Sequence, residues 1–302
     1  LSQYLMMHDK PALREPSMLV AFFGWSDAGM AGTGGIRYLT ENLPAKQFAE
    51  LDPEEFYDFT QNRPFTTLTE GGQRTITWPA NDFYYWKNES QPKDLLLFIG
   101  TEPNLKWRTY CDTIVRLAQD LDARKVIMLG GLLSGSPHTR QPRLTGSSSR
   151  PDMRLGLERM GARTSSYQGP TGIGSALWQG CAKLEIPYAS IWGHAPHYLQ
   201  ASPNPKVTLA LVTKLSQLLD LQISLEPLKA AVAAFDEEVA KAVEKDPEMA
   251  SYVRRLEEEY DKQETERAQI PEEMPSAEAL VKDLEEFLRK KQDEDQGESK
   301  PS

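Results

Sequence analysis

Six side chains able to move a proton or hold a charge, Asp27, Glu102, His138, Arg140, His194 and His197, lie in short polar loops. Each loop follows an apolar run that stops at a glycine: Met18–Phe23 before Gly24, Leu95–Ile99 before Gly100, Val126–Leu129 before Gly130, and Ile186–Trp192 before Gly193. Three of the chain's four histidines are among these six. An imidazole titrates near neutral pH and serves as acid or base, while a carboxylate or guanidinium fixes a ligand of opposite charge. Pro137-His138-Thr139-Arg140 and Pro196-His197-Tyr198 each present an imidazole after a proline that stiffens its approach. His138, His197 and Glu102 are therefore the candidates for proton transfer, and Asp27, Glu102, Arg140 and Tyr198 the candidates for ligand binding. Arg108 is a further cation near Glu102. A structural alternative stays open for each: the imidazoles bond backbone carbonyls and lock their loops, and Asp27 and Glu102 cap the helices that follow.

Gly169-Pro170-Thr171-Gly172-Ile173-Gly174 opens a helix. Gly172 and Gly174 leave its first N–H groups unobstructed, which suits either an anion or tight packing of strand on helix. The loop lacks the lysine of a Walker A sequence, so a nucleoside triphosphate is disfavoured. Gly29-x-x-Gly32-x-Gly34 reverses the order of the dinucleotide fingerprint, and no cofactor is expected. There is no H-E-x-x-H or C-x-x-C motif and no G-x-S-x-G elbow, which leaves no expected metal site and no ordinary hydrolase nucleophile. Cys111 and Cys181 fall on apolar helix stripes and read as buried thiols.

The apolar runs are too short for helices and alternate with helical segments, which implies a mostly parallel sheet covered on both faces. In such sheets ligands are held outside the carboxyl ends of the strands, where the four glycine loops should gather. Gln47–Leu51 reads as a further strand, and Thr66–Leu68 and Arg74–Trp78 flank Glu70-Gly71-Gly72-Gln73 as a hairpin extending the sheet. Residues 130–151 read as a long loop. Helices are expected over 30–43, 104–121, 152–160, 174–184 and 205–221, with a short strand at 163–167.

The division expected along the chain is a polar leader over 1–17, an α/β core over 18–225, an acidic helical subdomain over 226–292 and a disordered tail over 293–302. The net charge is −10. Residues 226–302 carry 23 acidic and 12 basic side chains, net −11, which leaves +1 for residues 1–225. Nothing resembles the basic face that nucleic acid requires. No apolar run approaches the roughly 20 residues needed to span a bilayer, and no signal peptide opens the chain, so a cytoplasmic protein without a membrane partner is expected. Stripes at Leu228, Val232, Phe235, Val239 and Val243, at Met249, Val253, Leu256 and Tyr260, and at Leu280, Leu284, Phe287 and Leu288 give three amphipathic helices.

Six motifs in order carry a resemblance. G-W-x-D-A-G at 24–29, Y-D-F with R-P over 57–64, G-x-E-P-x-L-x-W at 100–107, P-H-T-R at 137–140, Y-x-G-P-T-G-I at 167–173 and P-H-Y at 196–198 resemble the proteasome assembly chaperone 2 family, and more narrowly its actinobacterial branch. The resemblance implies a three-layer α/β/α sandwich similar to the phosphorylase/hydrolase-like fold, a C-terminal helical appendage and self-association. A trimer is the state expected here, apart from the resemblance. It points to a non-catalytic binding or assembly protein whose helical subdomain contacts a protein partner. The alternative is an enzyme acting on a small anionic or nucleoside-like substrate, with Gly172–Gly174 holding the anion and His138 or His197 transferring a proton.

Overall fold

The computed structural model describes residues 3–69, 71–165, 167–199 and 202–268. The third amphipathic stripe, over 280–288, and the expected tail lie outside them. Two compact units are present, Leu1–Glu257 and Glu258–Ser302. What is described of the second is the end of one long helix, Pro247–Ala268.

A nine-stranded sheet forms the middle of the first unit. Its strands are β1 (Leu5–Met7), β2 (Ser17–Phe23), β3 (Lys46–Leu51), β6 (Asn81–Trp86), β7 (Leu95–Thr101), β8 (Lys125–Ser134), β9 (Leu144–Ser148), β10 (Arg163–Thr164) and β11 (Tyr188–Pro196), in the order β1-β3-β6-β7-β2-β8-β11-β9-β10. The four central strands, β7, β2, β8 and β11, are mutually parallel, and their ladders run Val20 beside Phe98 and Met128, and Ile127 beside Ala189. Each carries apolar residues at nearly every position because both faces are covered. Along β2, Met18, Val20 and Phe22 join a cluster with Tyr110, Ile114, Ile173 and Leu177. Leu19 and Ala21 join a second cluster with Ile36, Leu39, Val207 and Leu211. Helices α2 (Trp107–Asp120) and α4 (Ile173–Lys183) thus cover one face, and α1 (Ala31–Asn42), α3 (Pro151–Arg159) and α5 (Pro205–Leu219) the other. This is a three-layer α/β/α arrangement around a mixed sheet. Helix α6 (Glu226–Glu244) packs on α5 with Leu228 and Val239 buried. Helix α7 (Pro247–Ala268) buries Val253 and Leu256 within the first unit.

Three expectations are corrected. The hairpin of β4 (Phe65–Leu68) and β5 (Arg74–Thr77) forms, but as a separate two-stranded sheet with every residue exposed, rather than as part of the main sheet. The antiparallel extension on that side is built instead by β6, β3 and β1, and the last of these comes from the polar leader. The long loop is shorter than it reads, since β8 runs on through Gly130 and Gly131 to Ser134, and residues 144–148 return as β9 against β11.

The glycines that open α1 let it lie directly on β8. A methyl group on Gly32 would stand 2.6 Å from the Leu129 carbonyl oxygen, and one on Gly131 would stand 2.3 Å from the Ala28 carbonyl oxygen. Both obstacles are backbone and have no rotamer to change. Gly131→Ala is expected to lower the urea-unfolding free energy by about 2–3 kcal/mol. Gly71→Ala, with open space around it, should stay within about 0.5 kcal/mol of wild type.

Candidate functional site

Because the central strands are parallel, the loops after β2, β7, β8 and β11 emerge at one rim of the sheet, and Asp27, Glu102, His138, Arg140, Tyr198 and His197 all lie there. They form separate clusters rather than one constellation.

Asp27 ends the β2 loop and turns onto the start of α1. Its Oδ1 accepts the N–H groups of Gly32 at 2.8 Å and Thr33 at 3.2 Å, and its Oδ2 accepts the Thr33 hydroxyl. The side chain is buried, and burial raises its pKa while these three donors pull it back down. Glu102 does comparable work after β7. Its Oε1 accepts the Ile173 N–H at 2.8 Å and its Oε2 the Trp25 N–H at 3.2 Å, so one carboxylate ties the β2 loop to the first turn of α4. At that helix end, where the sequence left open an anion or tight packing of strand on helix, the Ile173 N–H is taken by the protein's own carboxylate. A methyl group on Gly172 would meet Glu102 Oε1 and the Trp25 ring, both at 3.1 Å, and one on Gly174 would meet Met128 Sδ at 2.7 Å. Arg108 is exposed on the first turn of α2.

The β8 and β11 loops make the second cluster. The His138 N–H donates to the Tyr198 hydroxyl oxygen at 2.8 Å, which leaves the phenolic proton for His138 Nδ1 at 2.7 Å. Burial first pushes the Tyr198 phenol up to about 12. Lys206, from α5, donates to the His138 carbonyl at 2.6 Å and pairs with Asp236 of α6 at 2.9 Å. His197 Nδ1 lies 2.8 Å from the Ser134 carbonyl, which only accepts, so Nδ1 carries the proton and Nε2 receives the Tyr252 hydroxyl at 2.9 Å. Arg140 pairs with Glu257 at 3.2 Å, and Glu257 also accepts the Thr139 hydroxyl. The cavity left between Pro137, His138, Arg140, Asn204, Lys206 and Phe235 has a volume of about 10 Å³, room for one water molecule.

Lys206, Asp236, Tyr252 and Glu257 escape the sequence reading. The stripe of α7 reads as Met249, Val253, Leu256 and Tyr260, of which Val253 and Leu256 are buried, but Tyr252 and Glu257 flank it and carry no motif. Both cysteines are buried, and desolvation pushes the Cys181 thiol up to about 12 and Cys111 higher still. Among the described residues no group of three or more His, Cys, Asp or Glu side chains is arranged to hold a metal ion.

Glu102→Ala leaves two N–H groups without their acceptor and should cost about 1–2 kcal/mol in urea unfolding. His138 and His194 titrate below the ordinary imidazole value of about 6.5, chiefly through burial and then through neighbouring cations. Above that pH both folded and unfolded chains are neutral at these rings. As pH falls below about 6.5 the unfolded chain takes up protons first, so stability is lost toward acid. A melting-temperature series from pH 8 to 5.5 should fall below pH 6.5 in wild type and flatten in His138→Gln/His194→Gln.

The PAC2 family model matches residues 21–243. A PAC2 family protein from Streptomyces avermitilis is 38% identical over 79% of this chain and 99% of its own, with a TM-score of 0.72. A proteasome-assembly chaperone homologue from Mycobacterium tuberculosis is 33% identical over 78% of this chain and 99% of its own, with a TM-score of 0.71. A second M. tuberculosis protein, of unknown function, is 26% identical over 88% of this chain and 91% of its own, with a TM-score of 0.79. Nothing among the curated proteins matches. Family model, sequence identity and fold agree, and the chain belongs to the PAC2 family.

Proposed function

We propose that this protein is a non-catalytic assembly factor that self-associates and acts through its surfaces on a protein partner in the cytoplasm. The observation that carries this reading is the closed rim. At the strand ends, where an α/β sheet ordinarily holds its substrate, Asp27 and Glu102 are engaged by helix N–H groups and both imidazoles are bonded to neighbouring side chains. A proton-transfer site needs a ring nitrogen within reach of a bound substrate, and the cavity beside His138 holds about 10 Å³. The M. tuberculosis relative described as a proteasome-assembly chaperone homologue supplies the class of partner. No helix among the described residues is long and apolar enough to cross a membrane.

The acidic residues from 226 onward are the proposed partner-facing part, and residues 18–225 the core that presents them. Light scattering on the eluting full chain should give a trimer mass that is constant over roughly 1–50 μM, above the micromolar affinities of transient contacts. Mixed with purified proteasome core subunits from the same cell, the protein should elute as a complex of fixed stoichiometry. A monomer at every concentration, together with separate elution of the core subunits, would overturn the proposal.

A further inference from the structure

Resting on the proposed self-association, we infer that the arm formed by β4 and β5 is the contact between copies, its Leu68, Ile76 and Trp78 face packing against the same face of neighbouring copies of this chain. The ladder pairs Phe65 with Thr77, Thr66 with Ile76, Thr67 with Thr75 and Leu68 with Arg74. Directly opposed residues of antiparallel strands share a face, and successive residues alternate between faces. Phe65, Thr67, Thr75 and Thr77 therefore stand together, in agreement with the 2.7 Å between the Thr67 and Thr75 hydroxyl oxygens. Thr66, Leu68, Arg74 and Ile76 stand on the other face, and Trp78 is the next alternate position along it. The arm thus has a face of hydroxyls and a face of large apolar groups, the pattern of a sheet covered on one side only. Among the described residues nothing covers the apolar side: Leu68 is 67% exposed, Ile76 59% and Trp78 46%.

Area and charge identify the occupant as another copy. The three large groups, with Thr66 and the Arg74 stem, present on the order of 500 Å². Two such faces laid together bury about 1,000 Å², the least that a specific protein interface needs. The face carries one charge, Arg74, at the tip end of β5, where a long stem covers apolar neighbours and leaves the guanidinium in water. Residues 65–78 hold one acidic and one basic side chain, Glu70 and Arg74, so identical arms meet without net repulsion. The segment from 226 onward, at −11, repels its own copies and suits a different partner. The arm is also placed for the contact. At its base the Ala80 carbonyl accepts the Thr101 N–H at 3.0 Å, so it leaves the sheet at the carboxyl end of β7, and every residue of β4 and β5 stands exposed. Three arms directed at one axis close a ring in which each apolar face meets its neighbours.

The test compares the two faces in the full chain. Leu68→Asp/Ile76→Asp should weaken assembly at least about a hundredfold, so that light scattering gives the mass of one subunit at about 1 μM while the far-ultraviolet circular dichroism stays that of wild type. Thr67→Asp/Thr75→Asp, on the hydroxyl face, should assemble as wild type does. A positive readout comes from single thiols, because Cys111 and Cys181 are buried and unreactive: a short bismaleimide should join copies of Leu68→Cys and leave Thr67→Cys unjoined. Assembly retained in Leu68→Asp/Ile76→Asp, equal loss in both aspartate pairs, or no joined Leu68→Cys would overturn this inference and leave self-association standing. If Leu68→Asp/Ile76→Asp still assembles but no longer binds proteasome core subunits, the face belongs to a foreign protein and the inference falls. A wild-type chain that is monomeric at every concentration overturns the self-association itself.

Discussion

A parallel sheet points the beginnings of its covering helices toward the carboxyl ends of its strands, and each helix start carries N–H groups that its own ladder leaves unsatisfied. Those groups, with the positive end of each helix dipole, converge on the rim. Here the protein satisfies them from within. Asp27 takes the first N–H groups of α1, Glu102 that of Ile173 at α4, and the Asn204 side chain that of Val207 at α5. The acceptors belong to the loops after β2, after β7 and before α5, so each cap also fixes a loop. A carboxylate at the positive end of a helix is favourably placed, and these two occupy the starts of α1 and α4.

Much of the family's motif pattern is thereby accounted for as fastening. Tyr57, from the Y-D-F motif, donates from beneath β7 to the Thr101 carbonyl at 2.6 Å and lies 2.7 Å from Asn81 Oδ1, which Tyr110 also reaches at 2.6 Å. Burial pushes the Tyr57 phenol up to about 12 and holds Tyr110 well above its usual range, so both remain neutral donors inside an otherwise apolar layer. The Trp107 indole closes G-x-E-P-x-L-x-W by donating to the Pro103 carbonyl four residues back. These residue types look reactive in a string of letters, and in the fold most of their polar atoms are spent on neighbouring loops.

The central strands were legible because burial on both faces writes an unbroken apolar run ending at glycine, as in Met18–Phe23 and Leu95–Ile99. The helices were legible from their stripes. What stayed hidden depended on partners far away in the chain. Asn81–Trp86 is a strand because β3 and β7 flank it, and its own letters lie in a stretch that breaks the α/β rhythm. The pairing of β8 continues past Gly130 and Gly131 because Trp192 and Gly193 of β11 sit opposite, although two glycines in succession read as a loop. At the rim, the residues were readable and their acceptors and donors were not: Ile173 is 71 positions from Glu102, and Tyr252 is 55 from His197.

The β4–β5 hairpin stands apart from all of this. It pairs only with itself, is pinned at its base by the edge contact of Phe59 with Trp78 at 4.8 Å, and leaves Phe65, Leu68 and Ile76 more than half exposed. A lone two-stranded ribbon adds little stability in water, and greasy side chains on it lower solubility without adding to the core. The arm can therefore be redrawn, lengthened or trimmed without disturbing the layers beneath. Whatever accounts for three large aliphatic and aromatic groups at its surface, folding of this single chain does not.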